Sequence, residues 1–182
     1  MGLRKANAYS KKRVTPFTRI SKRKNKSYIK TVPPQKIVKF TMGNEQLYDR
    51  GKLPYHLTMV TTEPVQIRHN ALESCRQFIN KKLDVSVGGT YLFKVLPFPH
   101  HIQRENRMLT GAGSDRMQTG MQLSFGKSMG KSAILKENSR IFFIAMQNAK
   151  AVETMRKVLK QIKPKLPCKT RVLYEEIRNK KE

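Results

Sequence analysis

Three arginines, Arg104, Arg107 and Arg116, fall in one short stretch around Gly111-Ala112-Gly113. A guanidinium fork holds a phosphate through two parallel hydrogen bonds and also stacks on a base. Gly111 and Gly113 tolerate φ > 0 and expose backbone N–H groups, so a tip between the arginines can press against an anion. His100 and His101 stand where the chain leaves Pro99, and two uses stay open for them: hydrogen bonds to RNA, or the capping of a turn. Lys127 and Lys131, with Gly130 between them, return the chain along a basic edge. The whole segment, 100–131, is too long for a plain connection. Loops beyond about 12–15 residues in compact domains are mostly functional or disordered. A disordered linker is monotonous, whereas this one mixes cations, glycines, Met117, Met121 and Phe125. A short helix capped by Ser114 or Asp115 would carry those three apolar residues on one stripe, more in keeping with docking on the core than on RNA, with Gly126 as its stop. The chemistry on offer is grip on a polyanion.

Other chemistries find no support. His100, His101 and Glu105 lack the spacing of an H-E-x-x-H site, and His56 and His69 are isolated in sequence. No serine or cysteine has an evident base and orienting acid nearby. Gly111-Ala112-Gly113 lacks the third glycine and the strand–helix context of a dinucleotide fingerprint. Cys75 and Cys168 form no C-x-x-C pair, so neither a disulfide framework nor a zinc site is expected, and Cys75 reads as a buried thiol on a helix. The sequence predicts no catalytic site, no metal and no cofactor. It also predicts a reducing, cytosolic setting.

Charge points the same way. The 182 residues hold 38 Lys and Arg against 12 Asp and Glu, a net charge of +26. Self-repulsion on this scale opposes compaction unless a polyanion neutralises it. Nucleic acid is the commonest such partner, and an anionic membrane surface is the runner-up. Residues 1–44 contain thirteen of the cations and no acid, so a quarter of the chain carries half the net charge. Within residues 1–34, Tyr9, Phe17 and Tyr28 interrupt Arg4, Lys5, Lys11, Lys12, Arg13, Arg19, Lys22, Arg23 and Lys24. Aromatics at that spacing suit stacking on bases better than they suit a solvated tail. The arm is acid-free, as a transit peptide is, but Lys outnumbers Arg, Pro16 interrupts it, and no apolar stripe recurs at helical spacing. No stretch reaches the roughly 18 apolar residues of a membrane span.

The elements that must position these residues follow from periodicity. Strands are predicted at residues 36–40, 55–60, 91–96, 133–135, 141–146 and 170–174. Glu63-Pro64 resembles a helix start, leading to a stripe of Ala71, Leu72, Cys75, Phe78 and Ile79. The opposite face carries Arg68, Glu73, Arg76, Gln77 and Lys81, and Gly88-Gly89 ends the helix. Asn148 is a candidate N-cap for a second helix, with Ala151, Val152, Met155, Val158, Leu159 and Ile162 inward and Pro164 and Pro167 as its stop. Strand–helix–strand thus occurs on either side of the long segment. The expected fold is α+β, a two-layer sandwich of a mostly antiparallel sheet with two helices. The expected division is an arm at 1–34, one domain at 35–174 containing the functional loop 100–131, and a C-terminal tail at 175–182 that holds Glu175, Glu176 and Glu182.

At this point a resemblance becomes visible. Pro99-His100, Arg104, Asn106, Met108, Ala112-Gly113, Asp115-Arg116, Gly120-Met121 and Phe125-Gly126-Lys127 resemble the universal large-subunit ribosomal protein sixteen family, in its archaeal and eukaryotic "ten-e" branch. Phe17-Thr18-Arg19, Lys36-Ile37 with Phe40, Met42-Gly43-Asn44, and the run from Gln66 to Glu73 are similar too, the last archaeal in detail. Lys5 and Asn7 depart from the family's usual Pro and Arg, and Ser114 and Ser128 from its usual Ala and Pro.

The resemblance implies a non-enzymatic constituent of the cytoplasmic large ribosomal subunit, lying on rRNA beside the tRNA path near the aminoacyl site. Its partners would be large-subunit rRNA, neighbouring ribosomal proteins and, transiently, tRNA, with no membrane and no obligate homo-oligomer. His100, His101, Arg104, Arg107, Gly111, Gly113, Arg116, Lys127 and Lys131 would lie on the segment that reaches toward the peptidyl transferase centre. The cations and aromatics of the arm, with Arg68, His69 and Arg76 of the first helix, would fasten the domain to rRNA. The alternative is a non-ribosomal RNA-binding or chaperone module.

Overall fold

A computed structural model describes residues 31–105 and 127–177. The strands richest in branched and aromatic residues lie inside a five-stranded antiparallel sheet. β2 (Tyr55–Thr61) sits between β7 (Arg140–Met146) and β8 (Thr170–Glu176), while β4 (Tyr91–Val95) joins β7 to the short edge strand β1 (Thr41–Gly43). Leu57 stands opposite Ile144 on one side and Tyr174 on the other. β2 is buried on both faces from His56 to Thr61, which requires cover on both. One face shares a core with helix α2 (His69–Val87) and helix α3 (Ala149–Ile162), where Leu72, Cys75, Ile79, Met155 and Leu159 meet Met59, Phe93 and Phe142. On a second, smaller cluster, Leu47 and Tyr48 of the short helix α1 (Glu45–Asp49) pack against Leu53, Leu92, Ala145 and Phe143.

Beside this platform lies a three-stranded antiparallel sheet, with β6 (Lys127–Leu135) between β3 (Val65–Arg68) and β5 (His101–Glu105). One bulge interrupts it: Gln103 is opposite Gly130, yet Arg104 is opposite Ser128, so β6 uses one residue more than β5 across this step.

The fold is α+β and antiparallel as expected, with the sheet divided in two. Four expectations need correction. Residues 36–40 are not a strand; pairing starts at Thr41, and the Val38 N–H instead donates to the Glu73 carboxylate of α2. Glu63-Pro64 does not open a helix. It makes the turn into β3, with the Lys169 N–H donating to Glu63 Oε1 at 3.2 Å, and α2 begins at His69. The segment 100–131 is not all loop, since its first and last residues are β5 and the start of β6. Glu175 and Glu176 belong to β8 rather than to a tail.

The helices otherwise agree with their periodicity. All six inward positions of α3 are buried, and Asn148 is its N-cap residue, although its side chain caps nothing. α2 ends at Gly88, whose φ of 59° is the left-handed conformation expected after a helix. Gly43, at φ 92°, has room for no side chain: a Cβ there would lie 2.2 Å from the Tyr91 carbonyl oxygen. No described helix is long and apolar enough to cross a membrane.

Candidate nucleic-acid interface

The small sheet has two chemically different faces. Paired residues of antiparallel strands share a face, which places Val65, Ile67, Ile102, Ala133 and Leu135 together, all buried, with Lys131 opposite Ile102 at the end of that face. The opposite face carries Gln66, Arg68, His101, Gln103 and Ser132, with Ile134 opposite Gln66. Ser132 stands between Arg68 on β3 and His101 on β5, forming one row across the sheet. Gln66 Oε1 accepts from Gln103 Nε2 and from Ser132 Oγ, each at 3.4 Å. Sequence reasoning missed Gln66, Gln103 and Ser132 because it placed no strand around them.

Arg68 ends β3 and caps α2, and His69 is the helix's first residue. The His69 ring packs on Gly130 of β6, where an added Cβ would lie 3.2 Å from Nε2. Burial, and then the nearby charges of Lys36, Lys131 and Arg68, hold its imidazole below the usual histidine range. His69 is therefore buried rather than displayed, and Lys36 is a cation of this cluster that sequence reasoning had assigned to a strand. Arg68, His69, His101 and Lys131, predicted from distant parts of the chain, are brought to one end of the small sheet.

The remaining predicted residues divide. His100 is exposed just before β5. Arg104 is half-buried, and desolvation holds its guanidinium below its ordinary value. Lys127 stands opposite Glu105, so opposite charges sit side by side where the ribbon meets residues 106–126. Arg76 departs from expectation. Its Nη2 lies 2.6 Å from Glu73 Oε1 and its Nε 2.8 Å from Oε2, both side chains only 12% exposed. Nη1 reaches the Met42 sulfur at 3.4 Å. That guanidinium closes an internal ion pair instead of facing solvent.

A basic surface not assigned from sequence lies on α3, where Lys150, Arg156, Lys157 and Lys160 are exposed with one acid, Glu153. Arg156 lies 4.9 Å from the Tyr174 ring centroid and so covers part of β8. Cys75 is buried, its thiol pushed up to about 12 by desolvation, in keeping with a packing role. Among the described residues no group of His, Cys, Asp and Glu could hold a metal ion. Arg4, Lys5, Tyr9, Lys11, Lys12, Arg13, Phe17, Arg19, Lys22, Arg23 and Lys24 lie outside the described residues, as do Arg107, Gly111, Gly113, Arg116 and the expected Met117–Met121–Phe125 stripe.

The chain is 38% identical to the large ribosomal subunit protein uL16 of Thermofilum pendens, over 97% of this chain and 99% of that one. It is 37% identical to the protein of the same name from Staphylothermus marinus, over 98% and 97% of the two chains. The Methanospirillum hungatei protein of that name is 39% identical over 82% and 86%. The family model for ribosomal protein L16p/L10e matches residues 16–173, from the N-terminal arm into β8, and the chain belongs to that family.

Proposed function

We propose that this chain is a structural constituent of the cytoplasmic large ribosomal subunit, binding rRNA and neighbouring ribosomal proteins rather than catalysing a reaction. The observation that carries the reading is end-to-end similarity to proteins named for that subunit, together with a net charge of +26. A polyanion neutralises what the fold alone leaves repulsive.

The finer part of the proposal concerns the β5–β6 ribbon. Its inner end is fixed in the core by Ile102 and Ala133, both buried. Its outer end holds Arg104 and Lys127 and leads into residues 106–126, which contain Arg107, Gly111, Gly113 and Arg116. A rigid ribbon positions such a segment more accurately than a free loop does. We assign that segment to the tRNA path near the aminoacyl site and the peptidyl transferase centre, and the N-terminal arm to rRNA.

The experiment is reconstitution of large subunits with a chain whose residues 107–125 are replaced by a short Gly-Ser link, leaving the β5 and β6 pairing intact. Occupancy after a high-salt wash should stay near one per subunit, while aminoacyl-tRNA accommodation or late subunit maturation falls. Full occupancy with unimpaired maturation, tRNA binding and peptide synthesis would reduce the segment to a connection. Failure of the intact chain to co-sediment with large subunits would remove the ribosomal assignment itself.

A further inference from the structure

The junction of β3 and α2 holds a concentration of polar groups that the fold does not use. His69 is only 4% exposed, and its Nδ1 has no hydrogen-bond partner. Asn70 Oδ1, on the next residue, is likewise buried without a partner, and so are both side-chain polar atoms of Gln35. Buried polar atoms are nearly always satisfied, so a cluster without partners calls for an explanation. Of these atoms the donors, His69 Nδ1 and Gln35 Nε2, can serve an anion, while the oxygens of Asn70 and Gln35 cannot.

The chain geometry brings these residues together. Val38 N–H donates to Glu73, one turn into α2, so Gln35 and Lys36 run past the helix start. On the other side the His69 ring packs on Gly130, and Lys131, the next residue of β6, lies near enough for its charge to act on that ring, although its side chain leaves the strand on the Ile102 face. Arg68 is the N-cap residue. Its side chain makes no capping bond, and the first turn of α2 contains no acid. A helix start in that condition presents N–H donors and the positive end of the helix dipole.

We propose that this junction is a site for one phosphate group of an RNA backbone, held by the α2 N-terminus, His69, Lys36 and Arg68, with the charge of Lys131 close by. Its chemistry is that of a helix N-terminus binding an anion, strengthened by three cations from three separate segments. Lys36 is exposed while Arg68 and Lys131 are half-buried, so the opening to solvent is on the Lys36 side. His69 Nδ1, buried and without a partner on the first residue of α2, is a further donor. The inference rests on the rRNA-binding reading but assigns a particular contact within it.

Two measurements on the full chain test it. In the first, the His69 imidazole is followed by NMR during titration with inorganic phosphate. A saturable shift and a rise in its titration midpoint are expected, because a bound anion offsets Lys36, Arg68 and Lys131, the charges facing it. Lys36→Glu, at an exposed position that should leave folding intact, should abolish both. In the second, the affinity for large-subunit rRNA is measured against salt. Lys36→Ala should reduce the slope of log K against log [salt] by about one phosphate's share. Lys131→Ala provides the same test from β6. No response of His69 to phosphate, with unchanged slopes, overturns the proposal while leaving rRNA binding standing. A phosphate response with unchanged slopes means that the site takes free phosphate, and the RNA assignment is wrong. If the intact chain does not bind rRNA, the functional reading fails, and the salt measurement overturns this contact with it.

Discussion

The two sheets of this molecule are built from similar strands but put to different use. In the five-stranded sheet the inner strands are apolar or hydrogen-bonded on both sides, and their buried polar groups find partners inside the protein. The His56 Nε2–H donates to the Leu53 carbonyl at 3.0 Å, and Thr61 Oγ1 donates to the Lys136 carbonyl at 2.8 Å. In the three-stranded sheet one face is mostly apolar, with Lys131 at its end, while the other bears Gln66, Arg68, His101, Gln103 and Ser132. At its junction with α2, buried polar atoms remain without partners. The inner strands of the larger sheet satisfy their polar groups along their length, whereas the small sheet does so through Gln66, Gln103 and Ser132 and leaves atoms open where it meets α2.

The contrast breaks most sharply at Phe142, fully buried in β7 against Phe93 with ring centroids 5.9 Å apart. Phe142→Ala should cost about 3–5 kcal/mol of folding stability. Denaturant titration measures that loss, and rRNA affinity of the folded fraction should be unchanged. An affinity loss in protein shown to be folded would mean that the large sheet also contributes to binding.

A smaller effect sits where α2 meets the chain before β1. Arg76→Ala leaves the Glu73 carboxylate buried without its ion pair and should cost about 2–3 kcal/mol. Glu73 is held below the ordinary glutamate value of 4.5, mainly by the Arg76 hydrogen bond. Its contribution is therefore complete above that value and is lost as pH falls through the depressed one. His56 and His69 have the same sign: burial lowers both from 6.5, so the unfolded chain binds more protons as pH falls through that value, and stability declines. Wild-type stability should thus fall in two stages on acidification, and the lower stage should shrink in Arg76→Ala. Parallel curves for the two proteins would remove Glu73 from the account.

The smallest effect on stability should accompany a clear effect on binding. Lys127 is exposed at the outer end of the β5–β6 ribbon. Lys127→Ala should change stability by no more than about 0.5 kcal/mol, yet lower the salt dependence of rRNA binding by about one phosphate's share. Thermal unfolding and filter binding on one preparation separate the two quantities. A stability loss without a change in salt slope would place Lys127 among the structural residues.

How much of this was legible in the sequence depends on whether a side chain's partner was local. α3 was legible to the residue because its six inward positions obey one helical period. Residues 36–40 were misread because alternation reports an extended chain but not its partner: Ile37 is buried as a strand residue would be, yet Val38 is bonded to a helix side chain. The start of β6 was missed for the opposite reason. Lys127, Ser128, Gly130 and Lys131 offer no hydrophobic alternation, and they are a strand because β5 pairs with them. Arg76 looked like a surface cation because its helix face was polar, and only the fold shows that Glu73 and Met42 enclose it. The approach of Lys36 to His69 joins residues far apart in sequence, with no motif to announce it.

The bulge between Gln103 and Arg104 bears on how the length of this chain can change over evolution. Each single-residue insertion or deletion between β-bulge and core would exchange the two faces of the small sheet, exposing Ile102 or burying Lys131's neighbours against the helices. On the far side of the bulge no such parity holds, because residues added between Glu105 and Lys127 alter neither strand's register with the core. Length variants among descendants of this chain should therefore accumulate between positions 105 and 127 and be rare from 130 to 135, as though the bulge were a boundary between a stretch that tolerates editing and one that does not.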